Sequence, residues 1–281
     1  MLTTTLILFI GGITAGLLGA LTGLGGGVII VPLLTVFFGV DIRYAIGTSL
    51  ISVIATSSGA ASAYLKEGLL NIRIGMFLEI ATTLGAIGGA AIALFAPVNA
   101  ISIVFGIVLI YSAINSFRKR KDPIITGNGS LVKESRLSKL LRTEGSYKLS
   151  SETRYYKAQN LPGGFAVMSL AGVLSGLLGI GSGALKVIAM DSIMKIPFKV
   201  STSTSNFMIG VTAAASAGIY LSRGYIDPVL SMPIMIGVLI GALTGAKVLL
   251  KSQTKKIRIV FSIVIMLLAL EMIYSGITKN V

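Results

Sequence analysis

The chain has 281 residues, 54% of them hydrophobic and 12% charged, with 34 glycines, no Cys, Trp or His, and a formal charge of +14. Soluble domains carry about 25% charged residues, so the composition argues against a water-soluble globule. Without His or Cys there is no Ser-His-Asp or Cys-His catalysis, no imidazole or thiolate metal site, no haem ligation and no disulfide framework.

The apolar residues run in blocks of roughly 18 to 25, the length that a bilayer-crossing helix needs. In the first half they lie near 3–21, 27–39, 45–65, 72–95 and 98–117. Residues 1–5 lack a positive n-region, so the first block reads as a retained helix and not a cleaved signal. The block 27–39 holds only about 12 apolar residues, some 18 Å of helix, and either spans or re-enters. A polar stretch, 118–162, follows with the run Arg118-Lys119-Arg120-Lys121. Its charge reads as a cytoplasmic linker facing an anionic leaflet. Within it 131–142 fits either a short amphipathic surface helix or a solvated connector. The second half repeats the first, with apolar blocks near 163–180, 184–195, 200–222, 228–250 and 257–275.

An offset of 156 places Gly23, Gly25 and Gly27 on Gly179, Gly181 and Gly183. It also places Thr48-Ser49 on Thr204-Ser205, Tyr64-Leu65 on Tyr220-Leu221, and Gly85 and Gly89 on Gly241 and Gly245. That register holds without a gap from Ala15 to Leu94 and marks an internal duplication. The expected fold is an all-α polytopic membrane protein of two repeats, 1–117 and 163–281, joined by the linker 118–162. It has about eight long helices and two short or re-entrant ones. With five crossings per repeat, the basic loops 195–199 and 251–258 fall on the linker's side, and the neutral or balanced loops 39–44, 96–99 and 223–227 fall opposite. An odd crossing number inverts one repeat relative to the other, as in many secondary transporters. Re-entry of both short segments would undo that parity.

The glycine clusters GALTGLGGG (19–27) and SGLLGIGSG (175–183) read as helix breaks, which a bilayer tolerates only where they are buried in protein or line a polar cavity. The pairs Gly12/Gly16, Gly85/Gly89, Gly172/Gly176 and Gly241/Gly245 have GxxxG spacing and read as close packing. Gly47-Thr48-Ser49 and 201–206 (STSTSN) offer hydroxyl and amide groups near helix starts, for capping or for a ligand. Lys186 stands where the first repeat has Ile30. An ionisable residue inside a membrane segment points to function, although pairing with Asp191 or snorkelling are open alternatives. Glu79 and Glu271 also lie within apolar blocks, with Glu79 a candidate proton carrier. Lys247 reads as snorkelling near a helix end. Ser182 and Lys186 have the spacing of a Ser-Lys dyad, but no third orienting group accompanies them, so the reading is not an enzyme.

The segments GLLGALTGLGGGVIIVPLL and AIGTSLISVIATSSGAASAYLKEG resemble the sulfite exporter TauE/SafE family, and GLLGIGSGALKV with STSTSNFMIGVTAAASAGIYLSRG resembles a weaker second copy. The resemblance implies a bacterial or archaeal multi-pass inner-membrane permease of small sulfur-containing anions, such as sulfite or organosulfonates, usually working outward, with no cofactor and no nucleic-acid partner. A passive anion channel on the same scaffold is the alternative. The motifs place the substrate at Gly25, Gly26, Gly27, Thr48 and Ser49, and at Gly181, Ser182, Gly183, Thr204, Ser205 and Asn206. The residues add Lys186 as a countercharge. Two departures stand out: the long basic linker, which suits a cytoplasmic contact, and Ile188 in the place of Pro32.

Overall fold

In the computed structural model the described residues are 2–22, 25–66, 68–117, 144–149, 152–251 and 255–278. The basic run 118–121, the segment 131–142 and Gly23 lie outside them. The first half holds α1 (Leu2–Thr22), α2 (Gly27–Pro32, continued by a π turn at Leu33–Phe37), α3 (Ile42–Lys66), α4 (Ile72–Phe95) and α5 (Val98–Phe117). After a hairpin of β1 (Glu144–Leu149) and β2 (Glu152–Lys157), the second half holds α6 (Leu161–Leu178) and α7 (Gly183–Ile188, with a π turn at Ala189–Ile193). Then come α8 (Phe198–Ser222), α9 (Pro228–Lys251) and α10 (Lys255–Thr278).

The 156-residue offset carries α2, its π turn, α3 and α4 onto α7, its π turn, α8 and α9, end for end. Pro32 falls on Ile188 at the last residue of each short helix, so the proline is not what ends the helix or makes the π turn. Among the described residues, five helices are both long and apolar enough to cross a membrane: Thr3–Leu21, Ile42–Leu65, Ile72–Phe95, Leu161–Leu178 and Pro228–Val248. Shorter apolar helices cover Gly27–Phe37, Val98–Ile114 and Ile265–Thr278. Helix α8 has 25 residues. Its run of Ser, Thr and Asn lowers its mean hydropathy and is buried.

The polarity is distributed as a bilayer demands. Leu6, Ile7 and Ile10 of α1, Ile80 and Leu84 of α4, and Leu267 and Leu270 of α10 are exposed, whereas Thr48, Ser49, Ser52, Thr56, Thr82, Thr212 and Ser216 are buried. Lipid is as apolar as leucine, so association comes from close packing and internal hydrogen bonds. The GxxxG reading is borne out here. A Cβ on Gly16 would strike the Val238 carbonyl, and one on Gly172 the Thr82 carbonyl, its counterpart 156 residues on. Likewise Gly241 lies against Ile13 and Leu17, as Gly85 lies against Ser169 and Val173.

These contacts also give helix directions. Along α1, Gly12 meets Ile234 and Gly16 meets Val238, so α1 and α9 run parallel, and α4 and α6 do likewise. By contrast Gly106 meets Ala269 and Ile273 while Gly276 meets Ser102 and Ile103, so α5 and α10 run antiparallel. Helices α3 and α8 are antiparallel too. Val53 and Ile209 share contact with Gly181, and Ser57 further along α3 reaches back to the Asn206 and Phe207 carbonyls.

The end of the linker is a folded hairpin, which sequence reasoning missed. Tyr147 and Tyr156 are buried against the α3–α4 and α7–α8 connections. The Asn71 amide donates to the Tyr156 hydroxyl (2.8 Å), Gln159 N donates to the Met194 carbonyl (2.9 Å), and Lys157 pairs with Glu144 (2.9 Å). Burial pushes the Tyr156 pKa up, only partly offset by the Asn71 hydrogen bond.

Alanine at Gly16 or Gly172 should cost about 1–3 kcal/mol by overpacking, read as a lower thermal midpoint in detergent, whereas alanine at Gly88, where a Cβ meets nothing, should not. Since docking favours the neutral Tyr156 hydroxyl, docking is complete below the ordinary tyrosine range and weakens above about pH 10. Limited proteolysis of the hairpin should show that step, and Tyr156→Phe should diminish it.

Candidate functional site

The two glycine breaks meet at the centre. Gly25 (φ 79°) and Gly181 (φ 71°) both take the left-handed conformation that a residue with a Cβ rarely adopts. Each touches both Val53 of α3 and Ile209 of α8, and those two residues are themselves 156 apart. Gly27 packs against the Ser49 hydroxyl and the Gly179 carbonyl, and Gly26 lies 3.2 Å from Thr56 Oγ1 by its would-be Cβ. The breaks are thus buried in protein and crossed by an apolar pair, Val53 with Ile209.

Ending α1 and α6 inside the molecule leaves their last carbonyls without helical partners. Side chains from α3 and α8 supply the donors. The Tyr64 hydroxyl donates to the Ala20 carbonyl (3.0 Å), and its counterpart Tyr220 donates to the Gly176 carbonyl (3.1 Å). Ser49 donates to the Gly179 carbonyl (2.8 Å) and Asn206 Nδ2 to the Ala20 carbonyl (3.4 Å), while Ser205 donates to the carbonyl of Gly183, the first residue of α7 (3.3 Å). The tyrosines were visible as a matched pair in the repeat but carried no functional reading there.

The polar runs are not caps. Thr48-Ser49 and 201–206 lie inside α3 and α8, and the N-cap of α8 is Pro197, with no side-chain bond. Thr48 accepts from Ser231 (3.4 Å) and Thr204 accepts from Asn71 N (3.1 Å), so both turn away from the glycine crossing. Ser182 Oγ, Thr202 Oγ1 and Asn206 Oδ1 are buried without a hydrogen-bond partner among the described residues. Ser182 faces a small cavity shared with Ser112, Leu109 and Leu185.

Lys186 is fully buried and its partner is Glu79, not Asp191. Its Nζ donates to Thr212 Oγ1, which donates to Glu79 Oε1, while Nζ stands 3.7 Å from Glu79 Oε2. Thr83 Oγ1 also donates to Glu79 Oε1 (3.2 Å). Thr212 lies one turn beyond Ile209 on α8, which sets this cluster beside the glycine crossing. Thr212 was missed in the sequence because a lone threonine in an alanine-rich helix gives no signal. The Ser182–Lys186 dyad does not form, since the lysine is engaged by Thr212 and Ser182 Oγ has no partner among the described residues. Glu271 and Lys247 are exposed, away from the crossing. Among the described residues no group of three acidic, His or Cys side chains could hold a metal ion.

Interrupted helices meeting at a buried polar and charged centre, inside an apolar shell, define an all-helical membrane transporter. The chain belongs to the sulfite exporter TauE/SafE family, whose profile matches residues 8–272. It is 30% identical over 279 residues to the probable membrane transporter protein YunE of Bacillus subtilis, covering 96% of this chain and 98% of that one. YdhB of the same organism, also a probable membrane transporter protein, is 30% identical over 243 residues, with 86% and 87% covered. A probable membrane transporter protein of Methanocaldococcus jannaschii is 24% identical over 282 residues, with 95% and 94% covered. No solved structure matches the chain significantly.

Removing one partner of a buried ion pair leaves the other uncompensated, at a cost of about 3–5 kcal/mol. Lys186→Met alone should therefore destabilise by about that amount, and Lys186→Met with Glu79→Gln should recover most of it. A double-mutant cycle on thermal unfolding in detergent measures the difference.

Proposed function

We propose that the protein is an inner-membrane permease for small sulfur-containing anions such as sulfite or organosulfonates, exporting them by alternating access between two inverted repeats. The antiparallel pairing of α3 with α8 and of α5 with α10 supports inversion. Helices one repeat apart oppose each other when the chain reverses an odd number of times per repeat, which supports reading each short helix with its π turn as a crossing. The repeats 1–117 and 163–281 are the two moving bodies, and the linker 118–162 lies on the cytoplasmic side as a surface for a regulatory contact.

The observation that carries the reading is the buried Lys186 beside the paired glycine breaks. The cation supplies the charge an anion requires. Gly25, Gly26 and Gly27 with Gly181, Ser182 and Gly183 let substrate approach the backbone, and Ser49, Ser205, Asn206, Thr48 and Thr204 supply donors as the repeats rearrange. Glu79 is the group for proton coupling. Val53 and Ile209 fill the crossing, which favours a carrier over a passive channel, because an anion passes only when the halves part.

Purified protein in liposomes should show saturable sulfite counterflow, faster than sulfate counterflow. Steady potential-driven flux without counterflow would establish the channel instead, and no flux of sulfite, thiosulfate or sulfonates would remove the substrate class. Alanine at both Val53 and Ile209 should add a leak that counterflow does not saturate.

A further inference from the structure

The charged cluster joins the two repeats, Glu79 from the first with Lys186 and Thr212 from the second, and has no symmetry-related copy. The 156-residue offset puts Ile30 opposite Lys186, Met235 opposite Glu79 and Thr56 opposite Thr212. Ile30 is fully buried and its repeat forms the same helices and the same π turn. The fold therefore does not need the ion pair, and a buried pair is expensive to keep for structure alone.

Its bonding is also incomplete. An ammonium has three donors, and Thr212 is the hydrogen-bond partner of Lys186 Nζ among the described residues. Glu79 is 5% exposed, and its Oε2 accepts no hydrogen bond, with Lys186 at 3.7 Å. Both Thr212 and Thr83 bond the other oxygen, Oε1. One carboxylate oxygen thus rests close to the cation without being locked to it, and Thr212 bridges the two side chains.

We propose that Glu79 holds on Lys186 the place that the transported anion takes, so that an anion enters only as Glu79 takes up a proton. Thr212 is the positioning residue that joins the two states. This rests on the anion-permease reading. The step is an exchange of partners. A proton from the aqueous side adds to a Glu79 carboxylate oxygen, the contact with Lys186 opens, and an anionic oxygen of the substrate takes the ammonium, which keeps its three protons. The neutral carboxyl becomes a donor that serves a second substrate oxygen. On leaving, anion and proton go together and Glu79 returns to Lys186.

One anion then travels with one proton, and the site prefers a single full negative charge with further acceptor oxygens, as in a sulfonate or hydrogen sulfite. The other ionisable groups around the pair are few. Helix α6 carries none, α4 adds only Arg73, which is exposed, and α8 adds Lys199 and Tyr220 at its two ends. Asp191, five residues beyond Lys186, lies in the π turn. None of these appears among the bonds of the Glu79 carboxylate that join it to α7 and α8.

Methanesulfonate is the suitable probe, because it stays a monoanion at all working pH values and any pH effect then reports the protein. In proteoliposomes wild-type apparent affinity should rise by about tenfold for each unit the pH falls, the slope of a single linked proton. A pH-sensitive dye should record one proton per methanesulfonate moved. Glu79→Gln should abolish accumulation driven by a pH gradient and leave counterflow that no longer varies with pH, and Glu79→Asp should restore the pH dependence. Thr212→Val should weaken the pH dependence. Gradient-driven accumulation by Glu79→Gln, or wild-type flux without proton movement, would overturn this inference and leave the permease standing. If Glu79→Gln does not fold, the wild-type proton count and Glu79→Asp decide alone. Wild-type vesicles that move neither methanesulfonate nor sulfite would overturn both readings.

Discussion

A helix interrupted inside a bilayer exposes carbonyls and amides where no water can reach them, and each such group left bare costs several kcal/mol. The packing around the ends of α1 and α6 answers that constraint. Tyr64 and Tyr220 reach from the far ends of α3 and α8 to the carbonyls of Ala20 and Gly176. Asn206 shares the Ala20 carbonyl with Tyr64, and Ser49 takes that of Gly179. These bonds require α3 and α8 to lie side by side at the centre. That arrangement in turn places Val53 and Ile209 across Gly25 and Gly181. The outer pairs, α1 with α9 and α4 with α6, close around them through glycines that admit a neighbouring backbone.

Against this two-fold frame the asymmetric features stand out. The second repeat alone has Lys186, and the first alone has Glu79 on its fourth helix. The pair therefore joins the two repeats at a point that has no symmetry-related copy. The hairpin is the other asymmetry. It forms the end of the linker and binds Asn71 of the first repeat, while the chain just beyond it binds Met194 of the second, tying together two connections that belong to different halves.

Much of the architecture was legible because it depends on patterns with a fixed period. Apolar block length gave the helices, the matched glycines gave the repeat and its offset, and GxxxG spacing gave the packing faces. Other features lacked such a pattern. The Ser-Thr-Asn run has a composition that suits caps or ligand donors equally, and only the packing of α8 shows that Ser203, Ser205 and Asn206 donate to backbone carbonyls of other elements. The hairpin was hidden because its strands are short and sit in a charged linker, where Tyr147 and Tyr156 look like isolated aromatics.

Lys186 marks the limit between the two kinds of knowledge. Its cost in an apolar segment follows from the residue type and its place in the chain, so the sequence alone singled it out as a candidate. The choice of partner did not follow, because Asp191 is near in sequence whereas Glu79 is 107 residues away. Helices α4, α7 and α8 bring Lys186, Thr212 and Glu79 together only once the glycine faces have closed. Local composition and period are properties of a segment and can be read along it. Which buried charge meets which depends on how separate helices pack, and that is decided by the whole fold.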